Sequence, residues 1–381
     1  MRRRRRTAIS WNAGPVRLDR TWLPAGRQSL LEGLRMIETY AFDGSKVVHD
    51  TVGPGGLSET AIWIDLDSPS AEEVAAVEAL CTIAVPTREE MSEIEVSSRL
   101  YSEDGADVMT ASVVHGVQNG APAFSPITFI LTRGRLVTVR YSEPKSFRIF
   151  VAKLCRDPSA LPSHHDHAEA GEIVRAAGKP PTAEQLLVGL LETVVDRMAD
   201  LLELISADLD RIGEDIFSSS ARKKPTGTAD FKKLLQRIGA AGDLTSRVRE
   251  SLATLDRLLP FLQLVLDRKK GNGVKDGKAR VKVMARDIHS LNDFVSFLSN
   301  KTTFLLDTTV GMISIEQNAI IKIFSVAAVA FLPPTLVASV YGMNFEHMPE
   351  LGWTYGYPYA LALMGVSAVL PMLYFRYKNW L

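Results

Sequence analysis

The chain has 381 residues and a mass of 41.9 kDa, enough for a sizeable folded domain and more. Lysine plus arginine and aspartate plus glutamate each number 44, and the resulting net charge of +0 speaks against a nucleic-acid partner. Cys81 and Cys155 are the only cysteines, which excludes a disulfide framework and fits a reducing compartment.

Residues 1–35 are rich in Arg, Gly and Pro and lack periodicity. Arg2 to Arg6 form a basic run, but no apolar stretch follows it, so it is not a signal peptide. An arm for RNA or phospholipid is one reading. The preferred one is a disordered tail or an over-long gene start. Residues 61–66 (AIWIDL) read as a buried strand, and Ser70 with Glu73 forms a capping box that opens a helix. Asp107 to Val114 reads as a strand. Ile127–Thr132 and Leu136–Tyr141 read as a hairpin, and Ser146–Cys155 as an amphipathic helix. These elements define an α/β domain over 36–180 with no phosphate loop and no catalytic constellation, so an enzyme is not expected. His164, His165 and His167 admit a metal reading, but Ser, Pro and Gly surround them and a solvated loop is the simpler account.

Residues 182–217 predict a long helix. One side carries Leu186, Leu190, Val194 and Leu201, and the other carries nine acids opposed only by Arg197 and Arg211. After a break at Ser218–Gly227, residues 230–270 return as an antiparallel helix, which Gly271, Gly273 and Gly277 are expected to end. The pair is taken as one acidic segment, 181–275. The next, 276–341, is a stalk about 90 Å long running on into an apolar span. Met284, Ile288, Leu291, Val295, Leu298, Thr302, Leu305, Thr309 and Met312 follow alternating four- and three-residue steps, a heptad seam. A helix this long cannot bury such a seam alone and needs copies of itself and the flanking helices, so a ring of subunits with the stalk facing inward is expected.

Residues 323–341 and 357–375 are uncharged runs of 19 residues each, close to the roughly 20 that span a bilayer as helix. The loop 342–356 between them has no Lys or Arg, whereas Lys322, Arg376 and Lys378 flank the far ends. The positive-inside rule therefore puts the loop outside and both chain termini, including the basic 357–381 end, in the cytoplasm. Ser325, Thr335 and Ser339 fall within an arc of roughly 80° on the first span. Small residues for close packing, or a polar channel wall, are the two readings.

The loop opens Tyr341-Gly342-Met343-Asn344 and continues Met348-Pro349-Glu350-Leu351. With the Pro-containing span before it, the run Ile315-Glu316-Gln317-Asn318 and the ending Lys378-Asn379-Trp380-Leu381, it resembles the CorA magnesium transport proteins of the proteobacterial type. The match is dense over 305–381 and looser from residue 36, where MIETYAFDGSKVV resembles the family's usual start. The resemblance implies an inner-membrane channel or transporter for Mg²⁺, and also cobalt or nickel, built as a homo-pentameric funnel. It implies Gly342, Met343 and Asn344 as the ion-selectivity motif, and Asn318, Ile321, Phe324, Ala328, Leu332, Thr335 and Ser339 as pore-lining residues. It turns the acidic helix face into a cation-concentrating surface near the pore mouth. It also implies that Glu89, Glu90 and Asp287 hold regulatory Mg²⁺ between subunits, and it implies no organic cofactor. A zinc transporter of the same superfamily remains an alternative, against which the intact Gly-Met-Asn stands. A membrane-anchored coiled-coil scaffold is another, but it leaves the polar stripe and Asn344 unexplained.

Overall fold

The computed structural model describes residues 37–43, 46–93, 95–155, 181–221, 228–269, 272–343 and 348–378. The 1–35 extension, the histidine segment at 164–167 and Asn344 lie outside the described residues. The chain divides into two units. One holds the residues up to Ala199 with Glu250–Leu291, and the other holds Asp200–Arg249 with Asn292–Leu381.

The first unit is built on a seven-stranded sheet: β1 (Ile37–Asp43), β2 (Lys46–Val52), β3 (Trp63–Asp67), β4 (Leu100–Glu103), β5 (Ala106–His115), β6 (Ala123–Thr132) and β7 (Arg135–Arg140). Their order is β2-β1-β3-β7-β6-β5-β4, and only the β3–β7 pair is parallel. The predicted hairpin is β6–β7. Thr132 pairs with Arg135 across a two-residue loop, with φ of 35° at Arg133 and 83° at Gly134, the twist that suits a tight hairpin. The β1–β2 hairpin went unread because β2 is an edge strand carrying His49 and Asp50, whose polar exposed face hides the two-residue alternation.

Helices cover both faces of the sheet. Helix α1 (Ala71–Cys81) starts at the expected capping box of Ser70 and Glu73 and lays Val77 and Cys81 on Ile64, Leu66, Val137 and Val139. Two short helices follow, α2 (Arg88–Ser92) and α3 (Val96–Arg99). On the opposite face Trp63 stacks on Tyr40 at 4.2 Å and meets Phe147 and Phe150 of α4 (Lys145–Cys155). Beyond it lies the start of α5 (Ala183–Ala221), where a Cβ at Gly189 would sit 3.1 Å from the Phe150 ring. Asp65 is buried at the centre of the sheet. Arg140 donates to both its carboxylate oxygens, and Thr138 donates to one of them at 2.5 Å. Burial pushes the Asp65 carboxyl up, while the Arg140 guanidinium opposes that shift.

Three further α-helices follow among the described residues: α6 (Thr228–Arg268), α7 (Asn272–Tyr341) and α8 (Gly356–Tyr377). Helix α6 docks on β5 past the end of β4. Ser251 Oγ donates to the Ser112 carbonyl at 2.7 Å, and the Ser112 N–H donates to Thr254 Oγ1 at 3.0 Å. The sheet edge is thereby covered.

Three expectations need correction. Gly273 and Gly277 do not terminate a helix, because α6 ends at Arg268 and both glycines lie inside α7. Gly277 makes room for a close approach: a Cβ there would sit 3.6 Å from Leu266 and 3.9 Å from Val188. The heptad seam needs only one of its two expected partners, the flanking helices, at most of its positions. Met284, Ile288, Val295, Leu298, Leu305 and Thr309 are buried within one chain. In the second unit Thr302 and Leu305 come within 3.3 Å and 3.7 Å of the Cβ positions at Gly242 in α6 and Gly213 in α5. Finally, the acidic face of α5 is substantially neutralised. Glu184 pairs with Lys269 and Glu192 with Arg280. Asp208 and Asp215 pair with Arg237, and Asp210 pairs with Lys301. Counting charges along one helix could not see cations brought in by α6 and α7.

Candidate functional site

Helices α7 and α8 are each long and apolar enough to cross a membrane, with peak mean hydropathies of 2.0 and 1.6. Helix α7 stays helical through Pro333 and Pro334. Neither proline has an N–H, so the carbonyls of Val329 and Ala330 lose their usual intrahelical donors.

The two sides of α7 in the second unit differ in exposure. Positions 298, 305, 312, 326 and 333 and positions 295, 302, 309, 316, 330 and 337 are buried or half-buried, interrupted by exposed Ala319 and Ile323. These two rows advance in sevens, so the covered side keeps one heptad register from the stalk into the span. The opposite side is exposed throughout. One row runs Phe297, Phe304, Gly311, Asn318, Ser325, Leu332 and Ser339, and its neighbour includes Asp307, Ile321, Ala328 and Thr335. Every residue expected to line a pore falls on this exposed side, with Phe324 at its flank. Phe324 is 71 % exposed and Leu332 69 %. The expectation for Asn318 to Ser339 came from the family resemblance. Stepping back in sevens from Ser325 reaches Phe304 and Phe297, which stand in the same exposed row.

Of the polar residues of the span, Thr335 has a partner within its own helix. The Thr335 hydroxyl donates to the Phe331 carbonyl at 2.7 Å, supplying a local hydrogen bond just past the prolines. Its lone pairs remain able to accept. Gly342 closes the helix by donating to the Ala338 carbonyl at 3.0 Å. Gly342 supplies space here, not a left-handed turn: a Cβ would lie 3.1 Å from that same carbonyl. Met343 is exposed at the end of the helix. Beyond it, Trp353 and Tyr359 meet at 5.6 Å beside the start of α8.

Glu89 and Glu90 lie in the first turn of α2, both exposed, and Asp287 is exposed on α7. Glu90 has a local duty. Its Oε2 accepts from the Thr87 N–H at 2.8 Å and hydroxyl at 3.0 Å, completing a capping box. Among the described residues of one chain, no three His, Cys, Asp or Glu side chains are grouped to hold a metal ion. Glu89, Glu90 and Asp287 are therefore not gathered into such a group within one chain.

The model of the CorA-like Mg²⁺ transporter protein family matches residues 58–377. The magnesium transport protein CorA of Pasteurella multocida is 33% identical over 347 residues, covering 91% of this chain and 100% of that protein. Its counterpart in Escherichia coli K12 is 32% identical over the same lengths. Among solved structures, the CorA magnesium transporter of Methanocaldococcus jannaschii superposes with a TM-score of 0.65 at 17% identity, over 91% of this chain and 98% of that one. The full-length CmaX protein gives 0.55 at 16%, with the same coverage.

Proposed function

The chain belongs to the CorA-like Mg²⁺ transporter family, and on that premise we propose that it is a homo-oligomeric channel, a pentamer, for Mg²⁺ influx across the inner membrane. Cobalt and nickel ions share the path, and both chain termini lie in the cytoplasm. The observation that carries this reading is the exposed side of α7, which holds its heptad register from the stalk to Ser339. Copies arranged about an axis would turn that side inward and give the large exposed residues Phe324 and Leu332 a role as apolar constrictions that gate by dewetting.

Mg²⁺ sheds its water reluctantly, so the cargo is best met by neutral oxygens that accept hydrogen bonds from its hydration shell. An amide ring at Asn344, beyond Gly342 and Met343 at the outer end of α7, suits that task. A carboxylate ring would grip a divalent ion hard and slow its release. On the cytoplasmic side, Glu89, Glu90 and Asp287 of adjacent copies repel one another when bare. With regulatory Mg²⁺ between them they favour a tight, closed ring, so low cytosolic Mg²⁺ opens the pore.

A cysteine scan of α7 in proteoliposomes tests the reading. Cd²⁺ is expected to stop Mg²⁺ flux through Ala328→Cys and Leu332→Cys and to spare Ala330→Cys and Val337→Cys on the covered side. Block of the covered positions alone would put the pore on the wrong side of the helix.

A further inference from the structure

We propose that Phe297 and Phe304 form two apolar collars inside the cytoplasmic stalk, a second constriction in series with Phe324 and Leu332. The proposal rests on the reading of the exposed side of α7 as the pore wall. A single exposed apolar side chain needs no explanation. These two stand in one row, seven residues apart, and the row continues through Gly311 and Asn318 to Leu332. Phe297 is 53 % exposed and Phe304 57 %, although both lie in the stalk ahead of Lys322, where a helix facing only water would carry polar groups. The neighbouring row supplies such groups at Asn300 and Asp307.

Local contacts hold the Phe297 ring in place. Phe294 stacks against Phe297 with centroids 5.9 Å apart and planes at 16°, which restricts the ring. Lys301 Nζ lies over the Phe297 ring, 5.9 Å from its centroid, and also pairs with Asp210 of α5 at 2.6 Å. The two collars lie about 10.5 Å apart along the helix. A hydrated divalent ion gains nothing from phenyl edges that would replace its water, so a narrow stalk closes at both levels and conducts only when the helices spread.

Proteoliposome flux of Mg²⁺ with added Cd²⁺ tests this, with the parent, which retains Cys81 and Cys155, as control. Thiols ringing a narrow lumen bind Cd²⁺ together. Loss of flux is therefore expected for Phe304→Cys and Phe297→Cys, as for Ala328→Cys, and not for the parent. Assembled Phe304→Cys and Phe297→Cys channels that ignore Cd²⁺ while Ala328→Cys is blocked would overturn the collars and leave the pore reading standing. An unblocked Ala328→Cys would overturn both. If neither stalk variant assembles, the rings are packing residues between copies, and the collars are refuted.

Discussion

Replacing Arg140 with methionine should be among the most damaging single changes in the cytoplasmic sheet. Asp65 and Arg140 have side chains only 2 % and 7 % exposed, and the guanidinium supplies three of the four hydrogen bonds that the carboxylate receives. Removing one partner of such a pair leaves a buried charge uncompensated, at a cost of about 3–5 kcal/mol. The pairing of Arg140 with the half-exposed Asp67 adds at most about 1 kcal/mol. Thermal unfolding of the purified, assembled protein, followed by tryptophan fluorescence, reports the loss, because the Trp63 indole donates to Thr138 beside Asp65. The pH dependence has a definite sign. Burial already raises the Asp65 carboxyl, and without Arg140 it rises further. Protonation then favours the folded form, so the variant should regain stability as pH falls through that raised value. Adding Asp65→Asn should recover part of the loss at neutral pH. A variant as stable as the parent, or a double variant that simply adds the two losses, would refute the reasoning.

Leu298→Ala, at a seam position fully buried within one chain, should cost about 2–5 kcal/mol and lower the unfolding temperature of dissociated and assembled protein alike. An effect confined to assembly would return the seam to the interface between copies. Glu89→Lys with Glu90→Lys should raise the Mg²⁺ concentration that protects the cytoplasmic part from proteolysis. Glu89→Gln with Glu90→Gln should do the same while keeping the Thr87 cap, since Gln also completes a capping box. Unchanged protection in the Gln pair would mean the Lys pair acted by damaging the cap. Deleting residues 1–35 should leave membrane insertion and uptake as they are, and loss of assembly in that truncation would make the arm structural.

Local rules in the sequence reached much of the fold. The Ser70–Glu73 box, the Arg133-Gly134 hairpin and the apolar strand at 63–66 are decided by neighbours a few residues away, and all three are present. Properties that depend on distant segments were hidden. The acids of α5 looked like a bare surface because Lys269, Arg280 and Arg237 are far along the chain. Gly277 looked like a stop because nothing local says that Leu266 and Val188 press against it. At the candidate site, the arc of Ser325, Thr335 and Ser339 was visible within the span, where polar residues are rare enough to count, while the rest of the exposed row there came from the family resemblance. In the stalk the same row was overlooked because the buried seam is the stronger periodic signal.

The central claim, that Mg²⁺ is the cargo and that Asn344 meets it, is tested most directly by ion uptake into liposomes holding the purified protein. The parent should take up Mg²⁺, with Co²⁺ and Ni²⁺ but not Zn²⁺ sharing the path. Asn344→Ala, assembled to the same size, should take up none. Zn²⁺ uptake in place of Mg²⁺, or parent-like Mg²⁺ uptake by the assembled Asn344→Ala protein, would contradict the account.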